Sequence, residues 1–277
     1  IRSPMLSQVE RVVLNADMSF NTEIDVISAL SAAAQKADRI HGIVIMVELG
    51  DRREGLMPED LKDMVRRTLQ FPNIDFRGIG ANLACRNGVV PASTNMGFLS
   101  KLVESIEEEF GFTVSLVSGG NSANLPWVQS SANLGRINNL RLGESILLGR
   151  EPLHGSPIDG LFLDAFNLVG EVIETKLKPS EPAGVTARTP FEKISPSIDR
   201  GLITQSLVAL GHQDTDPRGL LPPPGVEIIG ASSDHIVLDS SQANLPVGSE
   251  VKFQLNYSAL LRAISSPFVS KIKNENY

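Results

Sequence analysis

The chain has 277 residues, 42% of them hydrophobic, and a formal net charge of −7. This length can bury one large core or two medium ones, and the interspersed charges leave no basic stripe for a nucleic-acid backbone. The longest apolar runs, such as Ile43 to Val47, fall far short of the roughly 20 residues that cross a bilayer, and the lone Cys85 gives neither a disulfide framework nor a thiolate metal cluster, which suits a reducing cytoplasm.

The chain begins at Ile1 without an initiator methionine, and Ile1 and Arg2, ahead of Pro4, read as the stump of a strand. A helix is predicted over Ser7 to Asn15, then a strand over Met18 to Phe20 and a helix over Thr22 to Ala37. A β-branched run over Ile43 to Glu48 predicts the next strand. Pro58, Glu59 and Asp60 mark a helix start, and that helix runs to Gln70. A strand over Ile74 to Asn82 and a helix over Ser93 to Phe110, ended by Gly111, come next. The last pair is a strand over Thr113 to Ser118 and a helix over Ser122 to Ser131, before a short strand over Asn139 to Leu142.

This alternation is the pattern of parallel strands joined by crossover helices. Five strands and a stump fall short of the eight in a closed (β/α)8 barrel, which occupies about 250 residues. Either two strand-helix units lie upstream of this chain, or the sheet is an open one of five or six strands. The pattern alone leaves both open. After Pro157 the texture changes to strand-like runs between Pro- and Gly-rich turns: Asn167 to Glu174, Leu202 to Leu210, Val226 to Ile229, His235 to Leu238 and Val251 to Leu255, with a solvated loop over Pro179 to Pro196. The expected division is an α/β domain over 1–157 and a mostly β domain over 158–277.

In parallel α/β folds, ligand-binding groups gather at the C-terminal ends of strands. Four such places stand out. The block Glu48-Leu-Gly-Asp-Arg-Arg-Glu-Gly55 is either a solvated loop with internal ion pairs or the source of an arginine fork for an anion. The run Ser118-Gly-Gly-Asn-Ser-Ala123 fits a tight turn with Asn121 or Ser122 as helix cap, and equally a phosphate site. Arg141 stands inside an apolar strand and must have a partner, while Gly143 offers a close backbone approach. Asn82 ends a strand of small residues and can bond a cofactor or its own backbone; Cys85 either packs or lines the site. The histidines at 41, 154, 212 and 235 show no metal-ligand spacing and no nucleophile elbow is present, so metal-dependent hydrolysis and acyl transfer have little support.

Several blocks in order resemble the alanine racemase superfamily, and most closely its alanine/ornithine racemase branch: Val47 to Gly55, Gly78-Ile-Gly-Ala-Asn-Leu83, Ser118 to Pro126, Leu140-Arg-Leu-Gly-Glu-Ser-Ile-Leu-Leu-Gly149, Gly230-Ala-Ser-Ser-Asp-His235 and Tyr257 to Ile264. The resemblance implies a (β/α)8 barrel holding pyridoxal 5'-phosphate (PLP), here without its first two strand-helix units, followed by a mostly β domain. It also implies a cytoplasmic homodimer with shared active sites and a free amino acid such as ornithine or alanine as substrate. Arg141 matches the arginine that bonds the pyridine nitrogen. Ser122, Gly143 and Glu144 match phosphate contacts, the latter two through backbone amides, with Asn121 in the same turn, and Tyr257 matches a tyrosine reaching that phosphate. Asn82 takes the place of a histidine near the ring, and Arg53 that of an arginine near the phenolic oxygen and the substrate.

Racemisation needs two acid/base groups on opposite faces of the substrate. One, by resemblance, is the Schiff-base lysine at the end of the first barrel strand, and none of the chain's lysines stands in such a place. The resemblance therefore implies a fragment whose lysine lies upstream. The other is a partner-chain tyrosine in a segment that aligns with Leu210 to Asp214, where this chain has His212: a second acid/base group, or a loop histidine without a role. Asp214, Asp234 and Glu54 are candidates to meet a side-chain ammonium. Two other readings stay open. One is a PLP-binding homeostasis protein without racemase activity, against which the second domain counts. The other is a phosphate-binding barrel enzyme that never used PLP.

Overall fold

A computed structural model describes residues 2–185, 187, 191 and 199–273. The chain divides into two compact units, Ile1–Ile146 with Arg150–Asp159, and Leu147–Gly149 with Gly160–Tyr277. No helix among the described residues is long and apolar enough to cross a membrane.

The first unit alternates α1 (Val9–Asn15), β1 (Met18–Asn21), α2 (Ile24–Lys36), β2 (His41–Val47), α3 (Leu61–Thr68), β3 (Ile74–Ala81), α4 (Ser93–Phe110), β4 (Leu116–Asn121), α5 (Leu125–Ser130), β5 (Asn139–Arg141) and α6 (Glu144–Leu148). The five strands form one parallel sheet in the order β1-β2-β3-β4-β5. Right-handed crossovers between strands laid down in that sequential order put every helix on the same face. A doubly wound open sheet instead reverses its order partway, which is what buries both faces. The order is that of a (β/α) barrel. Alternate residues Ile43, Ile45 and Val47 on β2, Ile79 and Ala81 on β3 and Val117 on β4 join Ile27 and Leu30 of α2, Val65 of α3 and Leu99 and Val103 of α4 in one buried core. The other face carries Phe20, Met46, Gly80 and Ser118.

The expected helix over Ser93 to Phe110 matches α4 at both ends. Two expectations need correction. Arg2 is irregular rather than a strand stump, and Ile1 lies outside the described residues. The fourth strand runs Leu116–Asn121, not Thr113 to Ser118. Val114, an apolar residue at the start of the expected run, is buried in the core, but its amide donates to Glu107 Oε1 at 2.8 Å rather than to a neighbouring strand.

Between the sheet and its helices lies a buried polar chain: His41 Nε2 is 2.9 Å from Ser19 Oγ, which accepts from Asn21 Nδ2 at 3.0 Å. Burial holds the His41 pKa below its ordinary value of 6.5, against the raising effect of the Ala16 carbonyl and Asp17. Because the folded state favours neutral imidazole, this contribution to stability is complete above the unfolded pKa and is lost as pH falls through it toward the folded one. Thermal unfolding from pH 8 to 5 should therefore show an acid-side fall in Tm that His41→Gln flattens. An unchanged slope in the variant sinks the assignment.

The second unit contains β6 (Leu168–Pro179), β7 (Leu202–Val208), β8 (Leu220–Leu221), β9 (Glu227–Ala231), β10 (Ile236–Asp239), β11 (Glu250–Leu255) and α7 (Tyr257–Ser265). Its strands make one antiparallel sheet, order β8-β11-β6-β7-β10-β9. Alternation buries Leu168 and Val172 of β6 with Val251 and Phe253 of β11, and Ala259 and Ala263 of α7 complete a separate core. Most of the expected loop from Pro179 to Pro196 lies outside the described residues.

Candidate functional site

Arg141 ends β5 and lays its guanidinium across neighbouring strands. Nη1 donates to Ser118 Oγ on β4 at 2.6 Å, and Nη2 to the Ala81 carbonyl of β3 at 2.9 Å and to Asn82 Oδ1 at 3.3 Å. The Phe20 ring of β1 lies 5.0 Å below it. Every hydrogen-bond partner among the described residues is a neutral dipole, with a π face beneath, so no carboxylate is bonded to the guanidinium. Burial pulls its pKa down, yet a guanidinium stays protonated.

Asn82 and Asn121 extend this network. Asn121 Nδ2 donates to Asn82 Oδ1 at 3.0 Å, to the Leu83 carbonyl at 2.7 Å and to Cys85 Sγ at 3.2 Å, while Asn121 Oδ1 caps Ala123 N at 2.8 Å. Asn82 Nδ2 is buried with no partner among the described residues, which is costly unless a ligand supplies an acceptor. The turn that follows β4 is rigid. Asn124 accepts from Asn121 N at 3.1 Å and donates to the Gly119 carbonyl at 3.0 Å. Gly120 has φ +150° and a Cβ there would lie 2.0 Å from Asn124 Oδ1, so only glycine fits.

Ser122 begins the next turn and joins the β5–α6 connection. Its Oγ accepts from Gly143 N at 3.3 Å, from Ser145 N at 3.1 Å and from Ser145 Oγ at 3.0 Å. The two shorter bonds, both from Ser145, fill the hydroxyl's two lone pairs, so the Gly143 amide is held only loosely, and the Ser122 proton has no acceptor among the described residues. No atom lies within 4 Å of the place a Gly143 Cβ would occupy, leaving the adjacent backbone open to a ligand. Glu144 follows; burial, with Glu151 adding to it, raises its carboxyl pKa.

Arg53 sits in the loop after β2 and donates through Nε and Nη2 to the neighbouring Glu54 carboxylate. Glu54 and Arg53 both act electrostatically on Arg141, as does Cys85. The structure thus brings Asn82, Asn121, Ser122, Arg141, Gly143 and Glu144 to successive C-terminal strand ends of one sheet, with Arg53 in the loop beside them.

His212 and Tyr257 belong to the second unit. His212 stacks on Phe191 with ring centroids 4.2 Å apart, and its Nε2 is buried without a partner among the described residues. Burial lowers its pKa below 6.5, Asp216 opposing and Arg262 and Arg218 reinforcing the shift. Tyr257 opens α7 and is 41% exposed. The turn carrying His212 is bonded to the start of that helix through Ser258 Oγ to Asp216 Oδ2 at 2.7 Å and Thr215 Oγ1 to the Ala259 carbonyl at 3.1 Å. Sequence reasoning overlooked Ser118, Ser145 and Phe20. The seryl signal lay in the right blocks, but partners across strands are invisible until register is known.

The sequence matches the family described as alanine racemase, N-terminal domain, over residues 7–151. It is 39% identical over 275 residues to an ornithine racemase of Acetoanaerobium sticklandii, covering 98% of this chain and 78% of that protein. It is 36% identical over 274 residues to a lysine racemase of Thermotoga maritima, covering 98% and 77%. Among solved structures it resembles D-threonine aldolase from Filomicrobium marinum, with TM-score 0.67, 16% identity and coverage of 94% of this chain and 68% of that one. Alanine racemase of Clostridium difficile 630 in complex with cycloserine gives TM-score 0.63, 16% identity and coverage of 97% and 69%. At such identities the likeness shows the fold alone. Family match and sequence relatives together establish that the chain belongs to the alanine racemase family.

Proposed function

We propose that this chain is the greater part of a PLP-dependent racemase of free amino acids, with a basic amino acid, ornithine or lysine, as substrate. The family uses PLP, and its sequence relatives are racemases, so the chain is of an isomerase. The observation that carries the reading is the Arg141 guanidinium, bonded only to neutral groups among the described residues, beside the open Ser122–Gly143 turn, a cation for a ring nitrogen next to donors for a phosphate.

The donor set fits the cofactor. Ser122 and the amides at Gly143 and Glu144 would hold its phosphate, Arg141 its pyridine nitrogen and Arg53 its phenolic oxygen, and the unpartnered Asn82 Nδ2 is a further donor. Tyr257 belongs to the same phosphate set by family resemblance. When bound, PLP acidifies the α-hydrogen of an amino acid. Arg141 keeps the ring nitrogen oriented, Asn121 fixes Asn82, and His212, neutral near pH 7, exchanges a proton with one face of the substrate.

Lys36 on α2, Lys62 on α3 and Lys101 on α4 are the lysines of the first unit, and none stands at the C-terminal end of a strand. We therefore assign the opposite acid/base group to a lysine outside this chain, on a further strand of the same barrel. The same reading makes the enzyme a homodimer whose chains complete each other's sites.

The test is polarimetry of L-ornithine, L-lysine and L-alanine with PLP present. The lysine-bearing enzyme should racemise at least one, and the 277-residue chain none; turnover by the latter overturns the lysine assignment. Failure of the former on every amino acid overturns the function. Ser122→Ala should weaken PLP binding on the order of tenfold while leaving pyridoxal, which lacks the phosphate, unaffected. Equal losses for both ligands count against Ser122 as a phosphate residue.

A further inference from the structure

The loop that carries Arg53 is tied to its neighbour by a device outside the ligand set. Asp51 is 0% exposed, an unusual position for a carboxylate. Its Oδ2 accepts from Cys85 N at 3.1 Å and Arg86 N at 3.0 Å, and its Oδ1 from Asn87 N at 3.1 Å. The grip is returned: Asn87 Nδ2 donates to the Asp51 carbonyl at 2.6 Å, and Arg86 Nη1 to the Arg52 carbonyl at 2.6 Å. Burial by itself would raise the Asp51 carboxyl, but the amides of Arg86, Asn87, Cys85 and Val89 outweigh it and hold it below the usual carboxylate value.

The loop is pinned at its base as well. Glu48 N donates to the Leu56 carbonyl and Leu56 N to the Met46 carbonyl, each at 2.8 Å. Its tip therefore has few ways to move except by leaving the clasp. On either side of the clasp a non-glycine residue occupies the left-handed region, Arg52 at φ 58° and Ala84 at φ 57°. Backbone of this kind persists where surroundings over-determine it, most often at functional sites.

We propose that Asp51 is a positioning residue for Arg53: its carboxylate locks the β2–α3 loop onto residues 85–87, so that the Arg53 guanidinium is fixed at the mouth of the barrel before any ligand arrives. The inference rests on the reading of Arg53 as an anion-binding group. Glu54 takes one edge of the guanidinium, leaving Nη1 without a hydrogen bond among the described residues. A preset fork loses less freedom on binding than one that must be ordered by its ligand. Asp51 itself contacts no ligand. Its effect travels through two residues of backbone.

The experiment compares the 277-residue chain with Asp51→Asn, Arg53→Gln and the double variant, by amide hydrogen exchange and by PLP titration followed through Trp127, its single tryptophan. Asp51→Asn should speed exchange at residues 85–87 and weaken PLP on the order of tenfold, the usual scale for losing an outer-shell partner. Arg53→Gln should weaken PLP similarly without touching that exchange, and the double variant should be no worse than either single one. Additive losses, or unchanged exchange at 85–87 in Asp51→Asn, overturn the positioning role alone. Native affinity in Arg53→Gln overturns the anion reading and with it the reason for the clasp. Asn87→Ala, which removes one bond and keeps the carboxylate, serves if Asp51→Asn does not fold; it should move both readouts in the same direction by a smaller factor, and native behaviour in both overturns the proposal.

Discussion

Arg141→Gln is expected to lower kcat/KM of the lysine-bearing enzyme by about 10²- to 10³-fold, the cost typical of losing one preorganised electrostatic donor. The guanidinium is fastened on three sides by Ser118, Ala81 and Asn82 and faces Phe20, so it spends no reorganisation when a ring nitrogen comes within reach. Glutamine is neutral and too short to span from β5 to β3. Ser118 keeps its bond to Asn139 Oδ1 at 2.7 Å in the variant, so the structural loss is on the order of 1 kcal/mol. Arg141→Lys separates charge from geometry, because an ammonium carries the charge but not the planar fork. Steady-state kinetics with a thermal melt of each variant decides the matter. Activity within tenfold of native for Arg141→Gln reduces the residue to a structural tie.

The second large effect is expected at His212. Phenylalanine preserves the stack on Phe191 and removes both ring nitrogens, so His212→Phe should fold as well as the native protein, or slightly better, since the buried Nε2 has no partner among the described residues. Its racemisation rate should fall by about 10²- to 10⁴-fold, the range of general acid–base catalysis. The pH profile gives a second check. With its pKa held below 6.5, His212 is deprotonated at neutrality and becomes protonated as pH falls through that lowered value. The acid limb of the rate profile should therefore lie below pH 6.5 and vanish in His212→Phe. A racemase with one base left also exchanges the α-hydrogen of one enantiomer with deuterated water without inverting it. Equal loss of exchange from both enantiomers rules out the one-face assignment.

Much of this arrangement was legible in the amino-acid order because it is written locally. The long helix Ser93–Phe110 declares itself through its periodicity and the glycine that stops it, and the alternation of strands and helices fixes a parallel sheet. The fourth strand was misplaced because hydrophobicity and hydrogen bonding part company there. Val114 is apolar for the sake of the core while its amide goes to the Glu107 carboxylate, whereas the strand runs on through Gly119 and Gly120, which read as a turn and across which the pairing with β5 shifts register. Side chains at those two positions would overlap Ile137, 2.7 Å away, and Asn124. The donor-rich loops announced themselves by composition, and family resemblance assigned their roles. Asp51 did not stand out within a run of charges, since a carboxylate that binds backbone amides of a distant loop leaves no mark on the sequence around it.

The strand order of the first unit also bears on how such a chain comes off the ribosome. Each strand pairs with the one before it, so closing each pair requires looping only the single connection between them, and the entropy of closure rises by just about 0.6 kcal/mol per doubling of that loop. Synthesis can therefore add strands to a growing edge in the order in which they emerge. β6 meets a different demand, for its partner β11 arrives some 70 residues later, at Glu250–Leu255. During translation the first sheet can consolidate while one flank of the second still waits for its neighbour.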